Sequence, residues 1–491
     1  VPPSSVSPTS VSSSSVASTD VTASSATTPI DARPQPAAIS GAESTGSVRG
    51  GGRVAILGAT GSIGTATLDV IRSLRQCDPE SDWRAWSISG HSRIDSLSRL
   101  AAESAPLPET VVVSDESRRA EADTCWKNLN LQGRCRLDFG PEALVRAATA
   151  PEVDTVVASI VGRAGLESTL EAVRAGKRVG LANKETLVVA GPVVTQAAAE
   201  SGSELLPIDS EHSAIYQCLA ESRHLAARSA ESVDPRPNPA QSLSSSPADR
   251  ADSLNSGNSA EDSFSRRFPG VRRLILTASG GPFRDATTQQ MRDATPAQAL
   301  NHPTWDMGQK ITIDSATMMN KALEIIEAKW LFDVPADRIE VVIHPQSIIH
   351  SLVEFEDGSV IAQLSPPDMR LPIQYALTHP NRLPCPSPVL DRQKPWEMSL
   401  LPADHERFPG LSLGFEVAKV GGTAGVVVNG ANEIAVPLFL EGKIRFTDIV
   451  ELCRQTLRSH NHESSPSLSR LLELDAWSRE HASGLAAKIH I

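Results

Sequence analysis

The stretch RVAILGATGSIGTATLDVIRSL, residues 53–74, reads as a short strand, a glycine turn and a helix. Arg53 to Leu57 is an apolar run that ends in Gly58, and residues 65–74 follow with helical spacing. Between them, Gly58-Ala59-Thr60-Gly61-Ser62-Ile63-Gly64 occupies the first strand-to-helix junction. Glycines there let the backbone turn tightly and approach a pyrophosphate, which then rests on the free N–H groups of the helix N-terminus. Glycine turns are common, so it is the position of this one that points to a dinucleotide.

Working outward, the same alternation continues. Residues 83–89, 110–113, 154–159 and 177–182 are candidate strands, and helix-like stretches at 93–103, 142–150, 166–176 and 185–200 separate them. Strands alternating with helices of this length predict βαβ units and a mostly parallel sheet. Residues 340–365 differ: two long β-rich runs flank Asp357-Gly358, a hairpin signal. From about Gly414 the chain is mostly helical. The expected fold class is therefore α/β: an N-terminal Rossmann-like dinucleotide domain (53–208), a central α+β domain (209–378), a linker (379–405) and a C-terminal helical bundle (406–491).

Two segments do not fit that pattern. Residues 1–52 are rich in Ser and Thr, with Arg33 and Arg49 the only basic residues among the first fifty. Such a segment buries too little apolar surface to offset its ordering entropy, so a disordered leader is expected, with an organelle-targeting remnant as the functional alternative. A second low-complexity stretch, about 222–267, is expected to be a disordered surface insertion. The formal charge of -12, from 46 basic and 58 acidic residues, argues against broad nucleic-acid binding, which needs a basic footprint. No run of apolar residues is long enough to span a bilayer. The six cysteines are scattered without a CxxC pair, which speaks against a disulfide framework or a cysteine zinc site.

The second strand ends in Gly90-His91-Ser92-Arg93, with no acid for a ribose 2′-hydroxyl. Ser92 and Arg93 suit a 2′-phosphate, which favours NADPH over NADH; the plainer alternative is a helix cap and a solvated arginine. Leu205 to Ile208 ends in Asp209-Ser210-Glu211-His212. Two carboxylates at i and i+2 just past a strand can converge on one hard cation such as Mg²⁺ or Mn²⁺, although acids also cap helices. Asp314-Ser315-Ala316-Thr317-Met318-Met319-Asn320-Lys321-Ala322-Leu323-Glu324 is expected to open a helix whose core stripe is Met319, Ala322, Ile326 and Trp330. On that reading Ser315 lies at the helix start beside Asn320 and Lys321, where a phosphate is favoured, with Glu324 one turn deeper as a third carboxylate. Ser279, followed by Gly280 and Gly281, suits a second phosphate contact, although a plain turn explains the glycines equally well. Asn301 to Gly308 is a loop by its Pro and Gly, and Trp305 in so polar a loop suggests a lid. His344 and His350 are expected to be structural.

Taken together and in order, LGATGSIG (57–64), LANKETLV (181–188), PIDSEHSAIYQCL (207–219), LTASGGPFR (276–284), LNHPTWDMGQKITIDSATMMNKALE (300–324), HPQSIIHS (344–351), PPDMR (366–370) and GVVVNGANEIAV (425–436) resemble the 1-deoxy-D-xylulose 5-phosphate reductoisomerase family. The resemblance runs from Arg53 to the C-terminus, interrupted by the insertion. It implies a homodimeric oxidoreductase of non-mevalonate isoprenoid synthesis. NADPH and a divalent metal, Mg²⁺ or Mn²⁺, would be used to isomerise and reduce 1-deoxy-D-xylulose 5-phosphate to 2-C-methyl-D-erythritol 4-phosphate, with retro-aldol cleavage and re-aldol joining. Metal ligation carries over to Asp209, Glu211 and Glu324, and catalytic roles to those three with Lys184 and His302. Substrate contacts carry over to Lys184, Ser210, Ser279, His302, Trp305, Met307, Ser315, Asn320 and Lys321. Cofactor contacts carry over to Gly58, Thr60, Gly61, Ser62, Ile63, Gly90, Ser92, Arg93, Asn183, Glu185 and Gly308. A small phosphosugar is the expected substrate, with no nucleic-acid or membrane partner. The leader implies a plastid of apicoplast type, with a bacterial-type cytoplasm as the alternative. Two rivals stay open: a ketol-acid reductoisomerase, and a non-catalytic NADPH sensor.

Overall fold

A computed structural model describes residues 52–231 and 260–489. The first sheet has seven parallel strands in the order β4-β3-β2-β1-β5-β6-β7. They are β1 (Arg53–Leu57), β2 (Arg84–Gly90), β3 (Thr110–Val113), β4 (Arg136–Phe139), β5 (Thr155–Ala158), β6 (Arg178–Leu181) and β7 (Leu205–Pro207). Helices α1 (Ser62–Cys77), α2 (Ile94–Glu103), α3 (Arg119–Asn128), α4 (Pro141–Thr149), α5 (Leu166–Arg174) and α6 (Glu185–Ser201) make the crossovers. Strand order reverses between β1 and β5, so their carboxyl ends frame the crevice where doubly wound sheets take ligands.

Burial on both faces explains the unbroken apolar runs. Val54 and Ile56 point into one core with Val111, Val113 and Val157. Ala55 and Leu57 point into the other with Val112, Val156 and Ala158. The edge strand β4, Arg-Leu-Asp-Phe, escaped the sequence reading because it is exposed or half-buried and carries no apolar run.

The second sheet has the order β11-β10-β8-β9-β12. Here β8 (Val271–Ala278) pairs parallel with β9 (Ile339–Ile343) and antiparallel with β10 (Ile349–Phe355), which turns at Gly358 into β11 (Val360–Leu364). The first of the two predicted long runs is thus two strands. Pro345 has no N–H to donate, and the chain leaves β9 at His344. His344 and His350 are buried and bonded to the carbonyls of Ser399 and Ser365, as structural histidines are. Strand β12 (Leu401–Pro402) is the only regular strand pairing within 379–405.

After β7 come α7 (Ser210–Cys218) and α8 (Ala220–Glu231). The chain resumes with α9 (Ala260–Arg267) and continues to α10 (Gln309–Ala316), α11 (Met319–Phe332) and α12 (Arg370–Thr378). Ile373, Ala376 and Leu377 of α12 return to the first sheet and complete the core under α1 and α2. The C-terminal helices are α13 (Pro409–Val420), α14 (Ala424–Leu440), α15 (Asp448–Ser459) and α16 (Leu468–Ala486).

Three expectations need correction or a limit. The leader falls outside the described residues except for Gly52, and so does the middle of the insertion, 232–259. The insertion's flanks, predicted as disordered from residue 222 to 267, are helical. Phe264 and Phe268 are fully buried, and Phe268 meets Phe332 edge-on. A composition window dominated by Ser and Arg hides two isolated aromatics. Finally, Ser315 does not start a helix. It closes α10, the chain kinks at Met318 with φ 60°, and α11 starts afresh at Met319.

Candidate functional site

The first cluster forms where β7 and α7 meet α11. Asp209 caps α7 by accepting Ser210 N–H with one oxygen, and its second oxygen meets the Lys184 ammonium. Glu211 follows one turn-step later, and Glu324 enters from α11 almost wholly buried. One oxygen from each of Asp209, Glu211 and Glu324 lies within 4.8 Å of the others. Two ammonium groups thread the cluster. Lys184 Nζ lies 2.5 Å from Asp209, 3.3 Å from Glu324 and 2.8 Å from Asn320 Oδ1. Lys321 Nζ donates to Glu211 at 2.7 Å and to Glu324. Asn320 Nδ2 donates to Glu324 at 2.5 Å, and Ser210 Oγ to Glu211 at 2.7 Å.

The electrostatics follow from three carboxylates held close together, one of them fully buried. Burial opposes the charge on Glu211, yet the Lys321 ammonium outweighs it and holds Glu211 down to about 2. Burial and the charge of Glu211 push Glu324 up to about 7. Burial disfavours the Lys184 ammonium, but Asp209 and Glu324 keep its pKa well above the ordinary lysine value. Three convergent carboxylate oxygens are the donor set of a hard divalent ion, so the residues fit Mg²⁺ or Mn²⁺.

The second cluster joins β8, the 301–308 loop and α10. His302 Nε2 lies 3.2 Å from Ser279 Oγ and 3.1 Å from Ser315 Oγ. Its Nδ1 accepts the backbone N–H of Thr304 at 3.2 Å and of Trp305 at 2.9 Å. An acceptor carries no proton, so in the neutral ring the proton is on Nε2, aimed between the two serines. Burial holds this imidazole below its ordinary value. Gly281, at φ 64°, lets the Ser279 turn pass so close to α10 that a Cβ would stand 2.9 Å from the Ser315 carbonyl oxygen. Two hydroxyls and a ring N–H converge without a carboxylate, a combination suited to an anion. Trp305 and Met307 are half-buried in the same loop, and Gly308 is the cap residue that precedes α10.

Asn320 and Lys321 were expected beside Ser279 and Ser315. Their hydrogen bonds instead run to the carboxylate cluster.

The cofactor loop lies at the carboxyl end of β1. Gly58 has φ 92°, and a Cβ there would stand 2.9 Å from the Ser159 carbonyl oxygen; at Gly64 a Cβ would overlap the Ala59 backbone. Helix α1 starts at Ser62 with no side-chain cap, so its first N–H groups face the crevice past Thr60, Gly61, Ser62 and Ile63. Gly90 ends β2 against Thr60. Ser92 and Arg93 are exposed at the start of α2, and Ser92 does not cap it: Arg93 holds the cap position, without a side-chain bond. Asn183 is buried and committed to backbone, with its amide on the carbonyls of Ile160 and Gly162 and its oxygen on Thr186 N–H. It shapes the wall of the crevice. Glu185 lies 3.5 Å from Lys310.

Sequence reasoning passed over His212, Glu327, Lys310, Asp314 and Asn432. His212 is fully buried, bonded to the Glu324 carbonyl at 2.9 Å and 3.4 Å from Glu327. Glu327 is the clearest signal the sequence offered, a charged residue among the apolar Leu323, Ile326 and Leu331 of its helix.

Family profiles match three parts of the chain. They are 1-deoxy-D-xylulose 5-phosphate reductoisomerase over residues 54–191, its C-terminal domain over 258–332, and the DXP reductoisomerase C-terminal domain over 364–481. A protein named 1-deoxy-D-xylulose 5-phosphate reductoisomerase from Rhodopirellula baltica is 64% identical over 447 residues, covering 88% of this chain and 95% of that one. Its namesake from Methylobacillus flagellatus is 44% identical over 429 residues, covering 87% and 96%. A crystal structure of DOX-P reductoisomerase in complex with NADPH, fosmidomycin and magnesium superposes with TM-score 0.74 at 40% identity, covering 89% of this chain and 98% of that one. The Zymomonas mobilis enzyme in complex with NADPH gives 0.72 at 37%, covering 89% and 100%. These relatives are bacterial, and they lend the plastid expectation no support. The chain belongs to the 1-deoxy-D-xylulose 5-phosphate reductoisomerase family.

Proposed function

We propose that this chain converts 1-deoxy-D-xylulose 5-phosphate to 2-C-methyl-D-erythritol 4-phosphate with NADPH and a divalent metal. The observation that carries the reading is the convergence of Asp209, Glu211 and Glu324 beside the separate Ser279–His302–Ser315 cradle. One region suits a hard cation and the other an anionic end, the two requirements of a phosphosugar whose ketone must be polarised. When bound, the ion supplies Lewis-acid polarisation and NADPH supplies a hydride.

The chain's own residues hold, orient and shield. Asp209, Glu211 and Glu324 would ligate the ion, while Ser210 Oγ and Lys184 Nζ face the substrate oxygens. Lys184 Nζ, which lies against Asp209 and Glu324, would offer N–H donors to oxygens that gain charge as the skeleton rearranges. The rearrangement conserves every atom; the resulting aldehyde then takes up one hydride and one proton. Ser279, His302 and Ser315 would grip the phosphate, and Asn320 and Lys321, bonded to the carboxylate cluster, would add to its contacts. Binding energy from that remote group orients the reacting carbons. Trp305 and Met307 close over the site and exclude water. Gly58 to Ile63, Gly90, Ser92, Arg93, Glu185 and Gly308 line the cofactor's path, with the 2′-phosphate at Ser92 and Arg93.

The division into 53–208, 209–378 and 406–491 with a linker at 379–405 is retained as our reading of the domains. We also infer a homodimer. The edge strand β11 exposes Val360 and Ile361, and the 379–405 segment exposes Val389, Trp396, Met398, Leu400 and Leu401. Among the described residues no helix is long and apolar enough to cross a membrane. The bacterial relatives favour the cytoplasmic alternative.

The test is NADPH oxidation with 1-deoxy-D-xylulose 5-phosphate, with and without Mn²⁺ or Mg²⁺. Metal-dependent turnover is expected. A folded, NADPH-binding protein without turnover would bring the sensor reading forward.

A further inference from the structure

Asp314 is a carboxylate at 1% exposure in α10, held by two side chains. Lys310 Nζ lies 2.6 Å from one oxygen, and Asn432 Nδ2 donates to the other at 2.8 Å. Lys310 also lies 3.5 Å from Glu185, the first residue of α6 and the neighbour of Lys184. Asn432 comes from the far end of the sequence and is fully buried on α14. Its helix is itself anchored: Glu433 pairs with Arg479 of α16 at 2.5 Å and accepts from Asn429 at 3.1 Å.

The placement of α10 gives this contact a consequence for the site. The helix begins just after Gly308, where the His302–Met307 loop ends, and carries Ser315 directly after Asp314. A helix of eight residues has little packing surface to fix its rotation about its own axis. Lys310 already balances the charge of Asp314, so the Asn432 bond is not needed for that. What that bond adds is direction, because a hydrogen bond fixes both distance and angle. We propose that Asn432 is a positioning residue: by donating to Asp314 it sets the rotation of α10, and so the place of Ser315 Oγ, 3.1 Å from His302 Nε2. The C-terminal bundle thereby tunes the phosphate cradle without touching substrate. This rests on the reductoisomerase reading above.

The experiment compares Asn432→Ala, Asn432→Asp, Ser315→Ala and the double variant Asn432→Ala/Ser315→Ala with the unaltered enzyme, measuring KM for both substrates. Asn432→Ala is expected to raise KM for 1-deoxy-D-xylulose 5-phosphate about tenfold or more, leaving KM for NADPH within about twofold. Asn432→Asp keeps the volume but sets a carboxylate against a carboxylate, so it should do as badly or worse and recover relative to the unaltered enzyme as pH is lowered. The double variant should match Ser315→Ala alone, because both changes act on one hydroxyl. An Asn432→Asp enzyme close to the unaltered one, additive losses, or equal rises in both KM values would overturn the proposal and leave a packing role. Absence of turnover in the unaltered enzyme would instead overturn the reductoisomerase reading, and this inference with it.

Discussion

His302→Ala is the substitution whose cost the structure lets one work out most fully. The ring makes two kinds of contact. Its Nε2–H points between Ser279 and Ser315, where a phosphate oxygen would accept it. A hydrogen bond to a charged group contributes about 1.5–3 kcal/mol. Its Nδ1 also accepts from Thr304 N–H and Trp305 N–H, the first turn of the lid. Each neutral bond adds about 0.5–1.5 kcal/mol, so the sum is roughly 2.5–6 kcal/mol. Thr304 and Trp305 are only half-buried, and water replaces part of what they lose. The lower half of the range is therefore expected, a fall of about a hundredfold to a thousandfold in kcat/KM. Ser315→Ala, which removes one hydroxyl and leaves the lid bonds alone, should cost about ten- to a hundredfold. The assay is steady-state NADPH oxidation at saturating metal, with kcat/KM for the phosphosugar taken for both variants. If His302→Ala costs no more than Ser315→Ala, the ring does not organise the lid and the reasoning fails. The pH dependence has a definite sign. The folded value of His302 is depressed by burial, so the unfolded chain takes the proton first. The ring's contribution to stability and lid order is complete above the ordinary value of about 6.5 and declines as pH drops below it. An NMR titration of the His302 ring that midpoints above that value would contradict this.

Glu324→Gln keeps the volume but removes one of three converging charges; turnover should drop by about a thousandfold or more while NADPH still binds, measured by cofactor fluorescence. Chelation of the metal should abolish turnover reversibly, with Mn²⁺ or Mg²⁺ restoring it. Gly64→Ala forces a Cβ into the Ala59 backbone, so NADPH affinity should fall at least about tenfold with little loss at the metal cluster, read by metal-binding calorimetry. Phe264→Ala empties a site at 0% exposure beside Phe268 and should cost about 3–5 kcal/mol by denaturant unfolding. Removing 232–259 alone should leave kcat within about twofold, and a large fall would show that this segment takes part in the reaction.

Much of the architecture was legible because periodicity is a local property. The runs at 53–57, 110–113 and 155–158 had to be strands buried on both faces, and the glycines between Gly58 and Gly64 had to serve a close backbone approach. The carboxylate cluster was legible as residue types: Asp209, Glu211 and Glu324 are acids with no apolar reason to stand at the end of a strand or within a core helix, and the structure brings them together. Ser279 and Ser315 were read as neighbours and do meet at His302, but Ser315 was placed on the wrong helix. Nothing in Asp314 to Lys321 announces that Met318 takes φ 60° and divides α10 from α11, since that break depends on how the two helices pack.

Only the tertiary structure decided what lies between these parts. That Lys184 and Lys321 thread three carboxylates, that His302 carries its proton on Nε2, and that Asn432 reaches Asp314 across 118 positions of sequence all depend on distance in space. Periodicity fixes which face of an element is buried. It carries no information about which buried polar groups will meet, because a hydrogen bond is specified by ångström-scale placement of two elements that the local sequence of neither one encodes.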